Sequence, residues 1–419
     1  MLLCLDATGQ ENLYGGRVSG PGSGPQAPRT GSLSYDFYHL IDTLSPAQQA
    51  RLQEVREFLD AQVRPIINEC WRREEFPMQI IPEMARLKLA GNPYRGYDCP
   101  GESWVFEGLL AQEMARVDCS VATFFGVHSG LAMGSIYLCG SEEQKQKWLP
   151  PMRRMEVLGA FGLTEPEHGS DVAQGLATSA RRDGHQWILN GQKKWIGNAT
   201  FADFTVIWAR DDEDGEVKGF LVERDTPGFQ ATKMANKMAL RVVQNAEIQL
   251  QDCRVPETHR LQNARSFKDT SRVLRMTRAG VAWLAVGCMA GAFDLTLDYV
   301  KEREQFGKPI GGYQLVQDRL AQMLSNLTSS QTLVYRLAQL QDEGRLSEDQ
   351  ASLAKLATTV KMRETVALAR ELLGGNGILL EHQVGRFVAD AEAIYSYEGT
   401  RDINALIVGR SLTGMNAFT

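Results

Sequence analysis

The chain has 419 residues, 43% of them hydrophobic and 23% charged, with a formal net charge of −6. That length accommodates two or three units, each with its own core, and the composition is ordinary for a globular protein. The acidic balance argues against nucleic acid as the main partner, because phosphate binding needs a basic surface.

Residues 1–34 are rich in Gly, Pro and Ser and lack apolar periodicity, which predicts a disordered tail. Within it, Glu11-Asn12-Leu13-Tyr14 resembles an expression scar. Ser45-Pro46-Ala47-Gln48 reads as a helix start, with a serine cap, a proline in the first turn and a glutamine three positions on. Leu52, Val55, Leu59 and Val63 follow at helical spacing and Pro65 marks an end. Further helical patterns cover 79–89, 103–117 and 121–138, and Ser141 caps another short helix.

From Gly159 the pattern changes. Asp183-Gly184, Asn190-Gly191, Asp214-Gly215 and Pro227-Gly228 are turn dipeptides between strand-like runs such as Thr205-Val206-Ile207-Trp208. Their spacing predicts antiparallel hairpins closing into a small barrel or sandwich that ends near Val255-Pro256. From Lys268 the chain is helical again, with a long buried stripe through Ala279, Val286, Phe293 and Leu297. Segments 313–342, 348–373 and a last helix from about 400 complete an antiparallel bundle. The fold class is therefore mainly α with a central β domain: a helical domain at 35–158, an antiparallel β-barrel or sandwich at 159–267 and a helical bundle at 268–419.

Seven scattered cysteines form no Cys-x-x-Cys pair. This argues against a disulfide framework or zinc site, predicts no metal, and points to a reducing, cytoplasmic location. The longest apolar run, Ala279 to Phe293, is short for a bilayer span and closes on Asp294, so no membrane association is expected. No Gly-x-Gly-x-x-Gly follows a strand, and Gly374-Gly375-Asn376-Gly377 lacks the Lys-Ser/Thr of a phosphate-binding loop.

Near the carboxyl end, Glu398 stands between Tyr397 and Gly399, three residues after Tyr395 and just before a helix. Flanking aromatic residues would desolvate it and raise its pKa, making a base effective near neutral pH. The alternative role is to neutralise the positive end of the following helix. Phe161-Gly162-Leu163-Thr164-Glu165-Pro166-Glu167-His168-Gly169-Ser170-Asp171 offers hydroxyls and close backbone approach to a planar ligand. One hairpin later, Trp195-Ile196-Gly197-Asn198 supplies a flat ring.

These two segments, together with Arg303-Glu304-Gln305-Phe306-Gly307, Glu371–Gly377 and Tyr397-Glu398-Gly399-Thr400, resemble the ordered motif set of the acyl-CoA dehydrogenase/acyl-CoA oxidase flavoproteins. The texture is most similar to glutaryl-CoA dehydrogenases and to plant-type short-chain acyl-CoA oxidases, which share Trp-Ile-Gly-Asn and a run like Leu240–Asn245. The resemblance implies a helical domain, a β domain and a four-helix bundle, with FAD as cofactor and a homotetramer as assembly. It implies Glu398 as the base taking the α-proton of an acyl-CoA thioester while the β-hydrogen leaves as hydride, giving a trans-2-enoyl-CoA. In the family the N–H of that glutamate and a flavin ribityl hydroxyl stabilise the thioester oxygen. Phe161, Leu163, Thr164, Gly169, Ser170, Trp195, Ile196 and Gly197 match the flavin wall. Arg303, Phe306 and Gln314, with Glu371, Leu372, Gly374 and Gly375, match segments that hold the FAD of a neighbouring subunit; Thr400, Asp402 and Phe418 match further FAD contacts. Thr123, Ser170, Arg278 and Gly399 match substrate-side positions, although Arg278 also reads as a helix-surface charge.

Two departures from the family pattern stand out. Gly197 replaces a Thr or Ser whose hydroxyl bonds the flavin, and Ala122 replaces the arginine that grips glutarate's distal carboxylate. A buried carboxylate without a cation is costly, so the expected substrate is a neutral short- or medium-chain acyl-CoA. The expected electron acceptor is an electron-transfer flavoprotein, with oxygen as the rival; a catalytically silent flavoprotein, including the family's DNA-binding branch, is a third reading.

Overall fold

The computed structural model describes residues 33–417, so the expectations for the tail and for Phe418 lie outside the described residues. Ser45 opens α1 (Pro46–Phe58) with a reciprocal capping box to Gln48 and Pro46 in the first turn, burying Leu52, Val55 and Phe58. A π-helical turn at Leu59–Val63 leads directly into α2 (Arg64–Arg73). Pro65 thus sits in the first turn of α2, where its missing N–H costs nothing, and does not end the helical run. Next come α3 (Ile81–Arg86), a two-residue hairpin of β1 (Arg95–Gly96) and β2 (Cys99–Pro100), and the almost wholly buried α4 (Trp104–Val117). The helix expected over 121–138 is α5 (Cys119–Phe125) and α6 (Met133–Cys139) joined through a π-helical turn at Gly126–Ala132. The helical region closes with α7 (Glu142–Arg153).

Strand β3 (Gly159–Gly162) begins a seven-stranded sheet, followed by the single turn α8 (Val172–Gly175) and strands β4 (Ser179–Asp183), β5 (Gln186–Ile196), β6 (Phe204–Asp211), β7 (Val217–Glu223), β8 (Phe229–Lys233) and β9 (Ala246–Pro256). The order is β3-β6-β4-β5-β9-β8, with β7 on the other edge of β6. Hairpins alone do not describe it, because β3 and β4 both pair with β6 in parallel. Buried and exposed residues alternate along β9 except at the exposed pair Gln251-Asp252, and Ile248, Leu250 and Val255 join Trp187, Ile207 and Phe220 in the core. Asn190-Gly191, expected to be a turn, lies within β5 at a shift in register with β9. Gly191 has φ +146° there, and a Cβ would lie 2.7 Å from the Thr178 backbone, so the glycine serves a bulge and a close approach.

The C-terminal region comprises α9 (Phe267–Glu302), the short hairpin β10 (Glu304–Gln305) and β11 (Lys308–Pro309), α10 (Gln314–Asp342), α11 (Glu348–Leu372), α12 (Val384–Ser396) and α13 (Arg401–Thr413). Helix α12 is additional to the sequence reading. The central helix α9 packs on α4, α10, α11 and α12. Its contact with α4 is backbone-close: a Cβ on Gly287 would lie 2.4 Å from the Gln112 carbonyl, and one on Gly291 2.2 Å from that of Arg116. Contrary to the sequence estimate, α9 and the stretch Cys119–Cys139 are long and apolar enough to cross a bilayer. Their most apolar windows are 78% and 67% buried inside the protein, so helix packing takes up most of that surface. Among the described residues, 34–417 form one contiguous unit.

Candidate active site

Helix α12 ends at Ser396, and the chain passes through two left-handed residues before α13: Glu398 at φ +49° and Gly399 at φ +94°. A left-handed glutamate is uncommon and needs surrounding structure to hold it. Here the carbonyls of the turn are tied from three helices. Arg278 Nε of α9 donates to the Glu398 carbonyl at 3.4 Å, and Lys355 Nζ of α11 donates to the Tyr395 carbonyl at 3.3 Å and to that of Gly399. Asn404 Nδ2 of α13 adds a bond to the Gly399 carbonyl at 2.8 Å. Thr400 caps α13 through the Ile403 N–H at 3.3 Å.

The Glu398 carboxylate faces a cavity of about 1400 Å³, where Thr277 Oγ1 donates to its Oε2 at 2.9 Å. Burial raises its pKa, against the opposing pull of the Thr277 bond and the positive charges of Arg278 and Lys355. Arg278 is itself buried and bonds Ser352 Oγ at 3.1 Å, so it is not a surface charge. Tyr397 lines the cavity with its hydroxyl 3.4 Å from Thr123 Oγ1, and burial raises its pKa as well. Tyr395 turns away: the Arg363 guanidinium lies 4.5 Å over its ring, and it does not shield the carboxylate.

The β domain supplies another wall of the same cavity, with Phe161, Leu163, Thr164, Gly169, Ser170, Trp195, Ile196 and Gly197 all lining it. The segment after β3 is anchored by a buried ion pair. Glu165 accepts Lys193 Nζ at 2.8 Å and the N–H groups of Ala177 and Thr178 at 2.7 and 2.8 Å. Trp195 has φ +65° and is 56% exposed, an unusual position for a large ring, and it presents apolar surface to the cavity. A Cβ on Gly197 would approach Val127 to 3.3 Å, and no side-chain hydroxyl is available at that position.

Thr123, Arg278, Gly399 and Thr400 also line the cavity, whereas Ala122 is fully buried behind its neighbour and does not. Asp402 is exposed on the first turn of α13, paired with Arg401. Arg303, Phe306 and Gln314 stand on the β10–β11 hairpin and the start of α10, away from the cavity lining, as do Glu371, Leu372, Gly374 and Gly375 at the end of α11. An Arg319–Glu371 ion pair of 2.7 Å links the two groups, and Phe306 is 95% exposed. The structure therefore gathers the predicted residues into two clusters, one around Glu398 and one outside its cavity.

Sequence reasoning missed Thr277 and Lys355. A lysine at 355 falls on the buried stripe of Ala351, Ala354, Thr358 and Met362, a pattern that signals a charge held inside. It also missed an apolar arm of the cavity along α9, where Gly280, Trp283 and Leu284 face Trp104, Gly108 and Ala111 of α4. A Cβ on Gly280 would meet open space, as expected for a residue bordering a void.

A desolvated carboxylate and an exposed tryptophan ring thus share one cavity, whose volume exceeds the roughly 300–1,000 Å³ typical of a single small ligand. The space suits two molecules: one planar against the β wall and one bringing a weakly acidic proton to Glu398.

Residues 45–156, 160–253 and 267–413 match the N-terminal, middle and C-terminal domains of acyl-CoA dehydrogenases. The chain is 32% identical over 406 residues to the human mitochondrial short-chain specific acyl-CoA dehydrogenase, covering 94% of this chain and 97% of that protein. Among solved structures it is similar to a glutaryl-CoA dehydrogenase from Mycobacterium smegmatis in complex with FADH2, with TM-score 0.88, 35% identity and coverage of 91% of this chain and 98% of that one. It is also similar to butyryl-CoA dehydrogenase from Megasphaera elsdenii, with TM-score 0.84, 30% identity and coverage of 88% and 98%.

Proposed function

The chain belongs to the acyl-CoA dehydrogenase family of oxidoreductases, and from that premise we propose that it uses FAD to convert an acyl-CoA thioester to the trans-2-enoyl-CoA, with Glu398 as base. The observation that carries this reading is the half-buried Glu398 carboxylate, which lines the same cavity as the exposed Trp195 ring. The residues fit a flavin. Trp195 offers its ring surface, Thr164 and Ser170 offer hydroxyls, and Gly169 and Gly197 permit close backbone approach. The bound flavin supplies the acceptor for the β-hydrogen as hydride.

Glu398 takes the α-proton, and its raised pKa brings its basicity toward that of the task. Thr277 holds the carboxylate in position through Oε2. The N–H of Glu398 has no protein acceptor among the described residues and is left to donate to the thioester oxygen as negative charge develops there. Tyr397 keeps water from the base.

For substrate we propose a neutral short- or medium-chain acyl group. Thr277 and Trp283 are six residues apart on α9, a rise of about 9 Å, and the arm between them is mainly apolar. The charged group in that arm is Glu107, whose carboxyl burial pushes up to about 7; it offers nothing to a distal carboxylate. We therefore read glutaryl-CoA as a poor substrate and expect no decarboxylation, despite the similarity to a glutaryl-CoA dehydrogenase. For acceptor we propose an electron-transfer flavoprotein, with oxygen as the competing reading. We also propose a homotetramer in which the exposed Phe306 cluster meets a neighbouring subunit's cofactor, located in the reducing cytoplasm.

Anaerobic titration of the yellow protein with butyryl-, octanoyl-, palmitoyl- and glutaryl-CoA tests this: the shorter neutral thioesters should bleach the flavin, and Glu398→Gln should abolish bleaching while keeping the colour. A protein that takes up no flavin, or a Glu398→Gln variant that still bleaches, refutes the reading. Peroxide formed with acyl-CoA alone in air would select oxygen as acceptor.

A further inference from the structure

Lys355 is 1% exposed in the middle of α11, and no carboxylate lies within ion-pair distance of its ammonium among the described residues. A buried cation without a counter-ion is expensive, so its retained partners are informative. They are both main-chain carbonyls, that of Tyr395 at 3.3 Å and that of Gly399. The first belongs to the last turn of α12, where carbonyls lack helical partners and the dipole favours a cation. The second lies just past Glu398. One ammonium therefore clamps both ends of the left-handed turn that carries the carboxylate.

Resting on the reading of Glu398 as base, we propose that Lys355 is a positioning residue for proton abstraction: it fixes the Glu398 turn, and its charge restrains the basicity of the carboxylate. The groups facing Glu398 are Thr277 and Arg278 of α9, Lys355 of α11 and Tyr397 of its own turn; Arg278 is partly offset by Glu348 at 3.7 Å. Arg278 holds only the Glu398 carbonyl of the turn, so it does not duplicate the clamp. Burial also brings Lys355 down to about 7, against the attraction of Glu398.

The test uses Lys355→Met, which removes both the bonds and the charge, and Lys355→Gln, which keeps a donor without charge. Readouts are flavin content, solvent deuterium incorporation at the α-carbon of butyryl-CoA, and the pH profile of kcat/KM. Loss of the cation favours the protonated carboxyl, so the acid limb should move to higher pH in both variants, by about half a unit to one unit. Deuterium incorporation and kcat should fall about 10- to 100-fold in Lys355→Met and less in Lys355→Gln, with KM nearly unchanged. A purely structural lysine would lower flavin content without moving the acid limb. Wild-type limbs and exchange rates in both variants overturn the proposal, as does failure of both to accumulate with flavin, which would assign the lysine to folding. Glu398→Gln run in parallel separates the two readings: if it still exchanges the α-proton, the base assignment fails, whereas an inert Glu398→Gln beside normal Lys355 variants sinks the lysine alone.

Discussion

Gly108 of α4 lies against the indole of Trp283 on α9 so closely that a Cβ on the glycine would come within 2.2 Å of the ring. Both residues line the arm of the cavity that leads away from Glu398. Gly108→Ala should therefore displace Trp283 and narrow that arm, destabilising the fold by about 1–3 kcal/mol. Urea denaturation checks the stability, and a chain-length series checks the arm: octanoyl-CoA should lose more kcat/KM than butyryl-CoA. An equal loss for both would mean that the acyl chain runs elsewhere.

Thr277 stabilises the ionised form of Glu398 by donating to Oε2. Thr277→Val removes that bond, so the already raised carboxyl pKa should rise further. The acid limb of kcat/KM should shift upward by about one unit, the equivalent of one hydrogen bond to a charge, while the plateau at higher pH changes little. A pH–rate profile reads both. A downward shift would contradict the assignment of the acid limb to Glu398.

Lys193 and Glu165 form a buried pair beneath the β wall, with burial bringing the lysine down to about 8 and the neighbouring lysine and amide donors lowering the carboxyl despite its own desolvation. Removing one partner leaves the other charge buried, so Lys193→Met should cost about 3–5 kcal/mol. Because Glu165 anchors the segment running to Ser170, flavin should also be lost at lower urea concentration than it is from the parent. Absorbance and circular dichroism followed together would show this.

His128 is fully buried, with Nδ1 accepting the Gly159 N–H at 3.2 Å, which leaves Nε2–H to donate to the Met152 carbonyl at 3.1 Å. Burial brings its pKa down to about 4 from 6.5. The folded pKa is depressed, so the stability linked to it is complete above 6.5 and is lost as pH falls toward 4. The loss reaches about 3 kcal/mol. Thermal unfolding at stepped pH should show a steeper decline for the parent than for His128→Gln in that window.

The order of helices, sheet and helices was legible because each region has its own periodicity and punctuation, and Ser45, Ser141 and Thr400 cap the helices they precede. The motif segments around Thr164, Trp195 and Glu398 were legible as well, and they converge on one cavity. What escaped depended on tertiary contact. Asn190-Gly191 has the composition of a turn, but the close pass of Thr178 places the glycine inside a strand. Helix α12 is preceded by Gln383 in a left-handed conformation with no side-chain cap, which leaves no start signal to read. Tyr395 and Tyr397 look equivalent in sequence, yet α12 ends between them and sends one ring to Arg363 and the other to the cavity. The roles of Thr277 and Lys355 arise only when α9 and α11 meet the Glu398 turn.

The π-helical turn at Gly126–Ala132 carries Val127, Gly130 and Leu131 into the cavity lining. Such a turn holds one residue more than an α-helical turn, and that residue can be removed without breaking the chain's path. A single-codon deletion there would restore an α-helical turn with the flanking helices still in phase, so the change in lining side chains would stay local to this turn. The cavity wall can thus be altered at this one turn through chain length alone, with every motif residue left in place.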